Sequence, residues 1–529
     1  MRSRTTGRMA FRSVMLLFSA VALAASPGWA ETTGELPENE TVEQAVAETA
    51  ADESTAPPQQ PPLETVAEET EAPESAPEAT EPPATARPAS RVMIELEVDG
   101  EIFAPAGRDA QPVREPIEME ARFAFVEWYD AAGNDAVLRI YQDAAADMRV
   151  DGAASRTALA ADARNVKVAL RGTTPSPYLA GAFLSRDELD LLETPFDPLL
   201  LDRLGGETGV AVGTKWNVPP DLAAGLLAID TIDLGALEAE LKSIDDGRAT
   251  VAVSGIVDGA ADGVPTHLVV EGTCVLEAAA VDESSWRLGN GTAATVTVRE
   301  RRQASHVAPG FDIEARVAVA RRQAADAGLR PDDVPTATSP VRRRGTGRPG
   351  FVWYRDPGER YDLVHDARWR LVEQGKAGIV MRFVDRGALV GQCSISALAP
   401  ADAVAPPTIA EVQRDIERSL AGQFGRFEHA SEATRSDGVR IVRVVSEGTA
   451  ENLPFRWIHH VLTDAHGRRA AVTFMLESTL AKRFGEADRE LVDGLSLAAA
   501  REEADPAAAA SESTPPDREA RLPHKTTTP

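Results

Sequence analysis

The chain has 529 residues, with 83 acidic against 55 basic side chains, a net charge of −28 and only 5 % aromatic residues. At ~100–200 residues per domain, that length implies two or three folded units. The acidic balance excludes a general affinity for nucleic-acid phosphate or anionic membrane surfaces.

Arg2, Arg4, Arg8 and Arg12 precede an apolar run from Val14 to Ala25, followed by Ser26, Pro27 and Gly28-Trp29-Ala30. Basic, then apolar, then small residues is the layout of a secretory signal peptide, with cleavage after Ala30. The run is too short to span a bilayer, which takes ~20 apolar residues, and it holds no cysteine for lipid attachment. The sequence therefore predicts an exported protein, periplasmic or extracellular, with no membrane span in the mature chain. Arginine outnumbers lysine 49 to 6, a bias that fits a G+C-rich bacterial genome.

Residues 31–90 carry −14, half of the net charge, with ten prolines and no aromatic residue. Such a segment cannot bury enough apolar surface to offset chain entropy, so it reads as a disordered acidic linker. It serves as a solvating leader or as a spacer.

From 91 to 320 the pattern is mainly antiparallel β. Val92, Ile94, Leu96 and Val98 alternate with polar neighbours, as do Met119, Ala121, Phe123 and Phe125, and Phe311, Ile313, Ala315, Val317 and Val319. Period-two alternation marks strands with one core face and one wet face. Leu268, Val270, Cys274 and Leu276 form a further such face, and Ala294, Val296 and Val298 another. Asp187 to Leu204 reads as irregular helix broken at Pro195 and Pro198. A second helix is expected where Asp233 precedes Leu234, Leu237 and Leu241 at helical spacing.

Residues 321–350 contain Pro331, Pro335 and Pro340, then Arg342-Arg343-Arg344, and read as an interdomain linker. From 351 to 499 a compact α/β unit is expected. Its strands fall at 361–364, 368–373, 378–385, 389–397, 439–447, 455–463 and 468–477. Thr408 and Glu411 form a capping box for a helix whose apolar face is Ile409, Val412, Ile416, Leu420 and Phe424. A last helix carries Leu480, Phe484, Leu491 and Leu495, and a disordered tail occupies 500–529.

The element order of 351–499, with Tyr361, Trp369, Asp385-Arg386-Gly387, Gln392-Cys393-Ser394-Ile395, Asp415-Ile416, Gly448, Pro454, Trp457, Phe474 and Asp488, resembles the PsbP/DcrB-like α/β/α sandwich. It also resembles uncharacterised secreted proteins of planctomycete-type bacteria. The amino-terminal β region is similar to secreted bacterial domains of unknown function through Val212 to Pro219. The resemblance implies an α+β protein, a mostly antiparallel β domain plus a PsbP-like sandwich, and modules of that kind bind or assemble rather than catalyse.

Motifs for chemistry are sparse. Cys274 and Cys393 sit on apolar strand faces in different predicted domains and read as two buried thiols; a disulfide clamp is the alternative. His459 and His460 are adjacent on a strand and so point to opposite faces, which prevents both from ligating one metal. His459 shares a face with Phe455, Trp457 and Val461 and reads as a core or rim histidine. His365-Asp366 can orient an imidazole, yet no nucleophile motif accompanies it. The sequence has no nucleophile elbow, zinc helix or Walker A loop.

Asp258 to Gly263 has the outline of a calcium loop, but Ala260 and Val269 stand where an EF-hand needs an oxygen ligand and a glutamate, so a hairpin is expected. Asn290-Gly291-Thr292 reads as a turn. Trp216 and Trp457 are candidates to line a ligand groove, with core packing as the alternative. No cofactor is implied. The expectation is an exported, non-enzymatic binding or scaffold protein whose partner is a protein, an envelope component or an apolar ligand. A periplasmic carrier of a lipid or other apolar ligand is the second reading, and a hydrolase assembled from distant residues the third.

Overall fold

The alternating stretches become long antiparallel strands. In a computed structural model, residues 89–104, 113–129, 136–205, 209–303, 309–324, 345–400 and 407–497 are described, and all of them belong to one compact unit. The leader, Ala30, Arg342-Arg343-Arg344 and the tail lie outside the described residues.

The amino-terminal strands are β1 (Ser90–Ala104), β2 (Val113–Tyr129), β3 (Ala136–Val150), β4 (Ala153–Ala158), β5 (Asn165–Arg171), β6 (Thr174–Tyr178), β7 (Leu184–Ser185), β8 (Lys215–Asn217), β9 (Thr231–Asp245), β10 (Arg248–Ala261), β11 (Val264–Ala280), β12 (Trp286–Arg302) and β13 (Gly310–Gln323). All except β7 join one twelve-stranded sheet in the order β6-β5-β3-β2-β1-β13-β12-β11-β10-β9-β8, with β4 paired to β3. Three short helices, α1 (Arg186–Leu192), α2 (Pro198–Leu201) and α3 (Pro220–Leu226), interrupt the meander. Leu189, Leu191, Leu200, Leu201 and Leu226 from these helices join Ile94, Phe123, Val251 and Val317 of the strands in one buried cluster. The helices are thus the second layer against which this sheet buries its apolar face.

The carboxy-terminal strands are β14 (Phe351–Arg355), β15 (Tyr361–Asp366), β16 (Trp369–Gln374), β17 (Gly378–Asp385), β18 (Ala388–Leu398), β19 (Phe424–Thr434), β20 (Arg440–Ala450), β21 (Leu453–Thr463), β22 (Arg469–Glu477) and β23 (Leu495–Leu497). Seven form an antiparallel sheet in the order β16-β17-β18-β22-β21-β20-β19, and a small sheet runs β23-β15-β14-β7. The helices are α4 (Ile409–Leu420), α5 (Ala481–Phe484) and α6 (Ala487–Asp493). Val412 and Ile416 of α4 pack on Val442 and Val444 on one sheet face. Phe484, Leu491 and Val492 of α5 and α6 pack on the other face with Trp369, Phe383, Cys393, Ile458 and Phe474. Trp369 anchors this second core, its ring 5.0 Å from Phe383 and 5.6 Å from Phe474.

The two regions meet. Strand β7 pairs in parallel with β14 through Leu184↔Val352 and Ser185↔Trp353. Arg186 donates to the Ala367 carbonyl at 2.9 Å, and Arg370 pairs with Asp262 at 2.7 Å.

Several expected elements differ. The helix expected after Asp233 is strand β9, paired with β10. Leu237, Ala239 and Leu241 are buried and Leu234 is exposed, so the operative period there is two, and ladder pairing overrides the helical spacing. Asn290-Gly291-Thr292 lies inside β12, opposite a register irregularity in β11, and is no turn. Phe424 opens β19 and does not extend α4, because Ala421 (φ 45°) breaks the helix. Strands β14 and β19 were not expected, β13 runs into the expected linker as far as Gln323, and the last helix is split at Gly485 (φ 59°). The Asp258–Gly263 stretch is indeed a hairpin: Asp262 (φ 52°) and Gly263 (φ 73°) make the two-residue turn between β10 and β11. Positive φ at both positions matches the right-handed twist of the strands.

Candidate functional site

Helix α4 begins at a complete capping box. Thr408 Oγ1 accepts from the Glu411 amide at 3.3 Å, and Glu411 Oε2 accepts from the Thr408 amide at 2.8 Å. The apolar face of α4 sits over β19 and β20, with Ile409 and Leu420 packed beside Val461 of β21. Between α4 and the uncovered parts of β21, β22 and β18 runs a groove of about 520 Å³.

Strand register decides what lines its floor. Residues opposite one another in an antiparallel ladder present side chains on the same face. One row across the sheet reads Val444, His459, Thr473, Ser394 and Val380; the next reads Ser446, Trp457, Met475, Gln392, Arg382 and Arg370. Trp457, His459, Thr473, Met475, Gln392 and Ser394 line the groove, facing Val412, Asp415, Ile416 and Ser419 of α4. A wall of Val412 and Ile416 flanked by Asp415 and Ser419 thus faces a floor that mixes one indole with hydroxyl, amide and imidazole groups.

His459 is the unusual member. Its Nδ1 meets Thr473 Oγ1 at 3.1 Å, while its Nε2 is buried without a hydrogen-bond partner. Burial, with the neighbouring His460 as a smaller cause, pushes its pKa down to about 4. The ring is therefore neutral near pH 7, and its Nε2 is an unsatisfied polar atom on a residue that lines the groove.

His460 faces the other way, as strand alternation requires. Its Nε2 donates to Asp488 Oδ2 at 2.9 Å, and Arg443 Nε donates to the same oxygen at 2.8 Å. Burial works against the Asp488 carboxylate, but these two donors hold it below the usual range. Burial also lowers the His460 pKa, with Asp488 opposing. His365 is buried and its Nδ1 meets the main-chain carbonyl of Asp366 at 2.8 Å; the Asp366 carboxylate pairs with Arg368 at 3.1 Å. That histidine is therefore oriented by a carbonyl, not by its neighbouring carboxylate.

Trp457 is buried and lines the groove. Trp216 lies on β8 in the other large sheet, where its Nε1 donates to the Leu204 carbonyl at 3.3 Å and its ring packs on the amino-terminal core. The two indoles share no groove. Cys274 and Cys393 are free, buried thiols in separate cores; burial pushes the Cys274 pKa up to about 12 and raises that of Cys393 further.

A second cavity, about 280 Å³, lies where the two regions meet, lined by Glu193, Thr194, Asp230, Arg368, Arg370 and Asp385 among others. Burial pushes the Asp230 carboxyl up to about 6, although the Gly263 and Asp262 amides donate to it. Burial raises Asp262 strongly, with Asp230 adding and Arg186 opposing. Deeper in the amino-terminal sheet, Arg139 holds Asp197 through two bonds of 2.7 Å and Glu127 at 2.9 Å. Glu127 continues to Arg321 at 2.8 Å, and Arg321 to Asp202 at 2.7 Å.

Of the residues singled out in the sequence, the groove collects Trp457 and His459, together with Gln392, Ser394 and Asp415 from the stretches that carry the resemblance. It adds Thr473, Met475 and Ser419, which no motif marks. The signal for them is ladder register, which spacing along the chain does not reveal.

No protein-family model matches the chain, and no curated protein does. Solved structures show distant likeness. One is a protein from Bacteroides thetaiotaomicron VPI-5482, at 13 % identity and a TM-score of 0.21 over 28 % of this chain; the match spans about half (49 %) of that protein. Another is cyanobacterial PsbP (CyanoP) from Synechocystis sp. PCC 6803, at 12 % identity and a TM-score of 0.24, covering 28 % of this chain and 92 % of that one. A loop-deletion mutant of the Vibrio cholerae outer membrane protein OmpT matches at 7 % identity and a TM-score of 0.11, over 74 % of this chain and 99 % of that one. Likeness at these scores carries no inference about function. Among the described residues, no helix is long and apolar enough to cross a membrane.

Proposed function

We propose that the protein is an exported, non-enzymatic binding protein whose ligand site is the groove between α4 and the β18-β22-β21 face. The observation that carries this reading is the groove itself: about 520 Å³, with Val412 and Ile416 on one wall, Trp457 and Met475 among polar groups on the floor, and a buried His459 Nε2 that no protein group satisfies. Binding sites for small molecules combine an apolar enclosure with a few fixed polar groups in this way, and a buried polar atom left without a partner is costly unless an occupant supplies one. We read residues 351–499 as a PsbP-like sandwich. The support is a seven-stranded antiparallel sheet with α4 on one face and α5 and α6 on the other. Export rests on the leader pattern that ends at Ala30.

The test is native mass spectrometry of the gently purified chain beside a groove-filling variant, Thr473→Trp. Bound mass on the parent that is absent from a folded variant supports the reading. Protein that is empty in both forms, or hydrolytic turnover abolished by one groove substitution, overturns it.

A further inference from the structure

Arg382 lies on β17, on the same face as α4: its neighbours Met381 and Phe383 point into the opposite core, and its cross-strand partners are Gln392 and Arg370. Gln392 lines the groove. Arg370 is paired with Asp262 at 2.7 Å. Among the described residues Arg382 has neither ion pair nor hydrogen bond, and its Nε is buried without a partner. The loss of hydration without any carboxylate in compensation lowers its pKa. A guanidinium that is partly desolvated and unpaired is unusual, because burying a charge costs free energy unless a counter-charge and hydrogen bonds replace the water.

Directly opposite Cβ atoms in a ladder lie about 4.5–5.5 Å apart, and an arginine side chain exceeds that reach. Arg382 therefore stands at the edge of the groove floor, beside Gln392. The charged groups that line the groove itself are Asp415 on α4 and Arg469 on β22; Arg382 adjoins that lining as the ladder partner of Gln392. Asp415 is mostly exposed, and Arg469 is committed to the Ala399 carbonyl through two donors at 2.8 and 3.0 Å. The uncommitted charge at the floor is thus positive. A guanidinium fork matches a carboxylate or a phosphate monoester in two parallel hydrogen bonds.

We infer that the groove takes an amphipathic anion: an apolar body between α4 and the floor at Trp457 and Met475, and a single acidic head, carboxylate or phosphate monoester, bound by Arg382 and Gln392. This rests on the groove being the ligand site. It narrows the ligand from an apolar molecule in general to one with an acidic end.

The experiment is calorimetric titration of the full chain with decanoate, decyl phosphate and 1-decanol below their aggregation limits, in the parent, Arg382→Gln and Arg382→Lys. A charge-assisted hydrogen bond in a partly buried site is worth about a 10- to 100-fold change in affinity. The expected result is that one or both acids bind the parent at least tenfold more tightly than decanol. Arg382→Gln then abolishes the difference and Arg382→Lys keeps part of it, and the stronger acid identifies the head group. Equal binding of acids and alcohol by the parent overturns the anion inference and leaves the groove reading standing, as does a preference that survives in Arg382→Gln. Failure of all three probes to bind the parent overturns both. If Arg382→Gln does not fold, the acid-against-alcohol comparison on the parent still tests the anion, and Arg382→Lys, with a reduced but retained preference expected, tests the residue.

Discussion

Replacing Asp230 by asparagine tests the electrostatics of the junction between the two regions. The Asp230 carboxyl is pushed up to about 6 from an ordinary 3.8, by burial in the first place, against the pull of the Gly263 and Asp262 amides and of Arg302 and Arg186. Between pH ~4 and ~6 the folded chain therefore holds a proton that the unfolded chain has released, so this group makes stability fall as pH rises through that window. Two units at ~1.4 kcal/mol each give a penalty on the order of 3 kcal/mol above pH 6. That is an upper bound, because the side chain keeps some contact with water.

Asparagine keeps the acceptor oxygen and cannot ionise. The parent's own profile mixes signs: His365 and His459, both pushed down to about 4, lose stability as pH falls through the same range, since their unfolded forms take up protons first. Subtracting the parent from Asp230→Asn cancels the histidines. Urea unfolding from pH 4 to 8 should then show the variant gaining up to ~3 kcal/mol relative to the parent as pH rises through 4–6, with the difference level above pH ~6.5. A difference that is flat across the range, or one that falls with rising pH, would refute the assignment.

Arg139→Met should cost about 3–5 kcal/mol in urea unfolding, because Asp197 and Glu127 remain buried with one partner fewer each; adding Glu127→Gln and Asp197→Asn should recover much of that loss. Cys274 and Cys393 should resist a thiol reagent in the native protein and react as two thiols after unfolding, since burial both shields them and raises their pKa values; rapid native labelling of either would contradict the packing. Thr408→Ala should lower stability by ~1 kcal/mol through loss of the cap on α4, and Thr408→Gly by only a few tenths; unchanged stability in Thr408→Ala would show that the cap bond contributes nothing.

The one-face alternation of Val92 to Val98, Met119 to Phe125 and Phe311 to Val319 carries enough information to place strands, because each residue's burial follows from its own position in a period of two. The capping box at Thr408 and the irregular helix around Pro195 and Pro198 are also local signals, and both are present. Where local signals conflict, the tertiary ladder decides. Leu234, Leu237 and Leu241 fit a helix by spacing, yet pairing of β9 with β10 recruits Leu237, Ala239 and Leu241 to one face.

The sequence by itself determined the β-rich class, the main strand positions and the divergence of His459 from His460, while the two cysteines, read as buried thiols with a disulfide as the alternative, are free in the structure. Only the tertiary structure decided the site. Trp457, Thr473 and Gln392 come from three strands and share one floor, with Arg382 of a fourth on the same face beside Gln392, because β17-β18-β22-β21 pair in one register. A shift of one residue in any of these pairings would send its side chains to the opposite face. The junction between the two regions is decided the same way: Asp262 reaches Arg370 because the β10-β11 hairpin ends beside β16, a meeting of residues more than a hundred positions apart that no periodicity encodes.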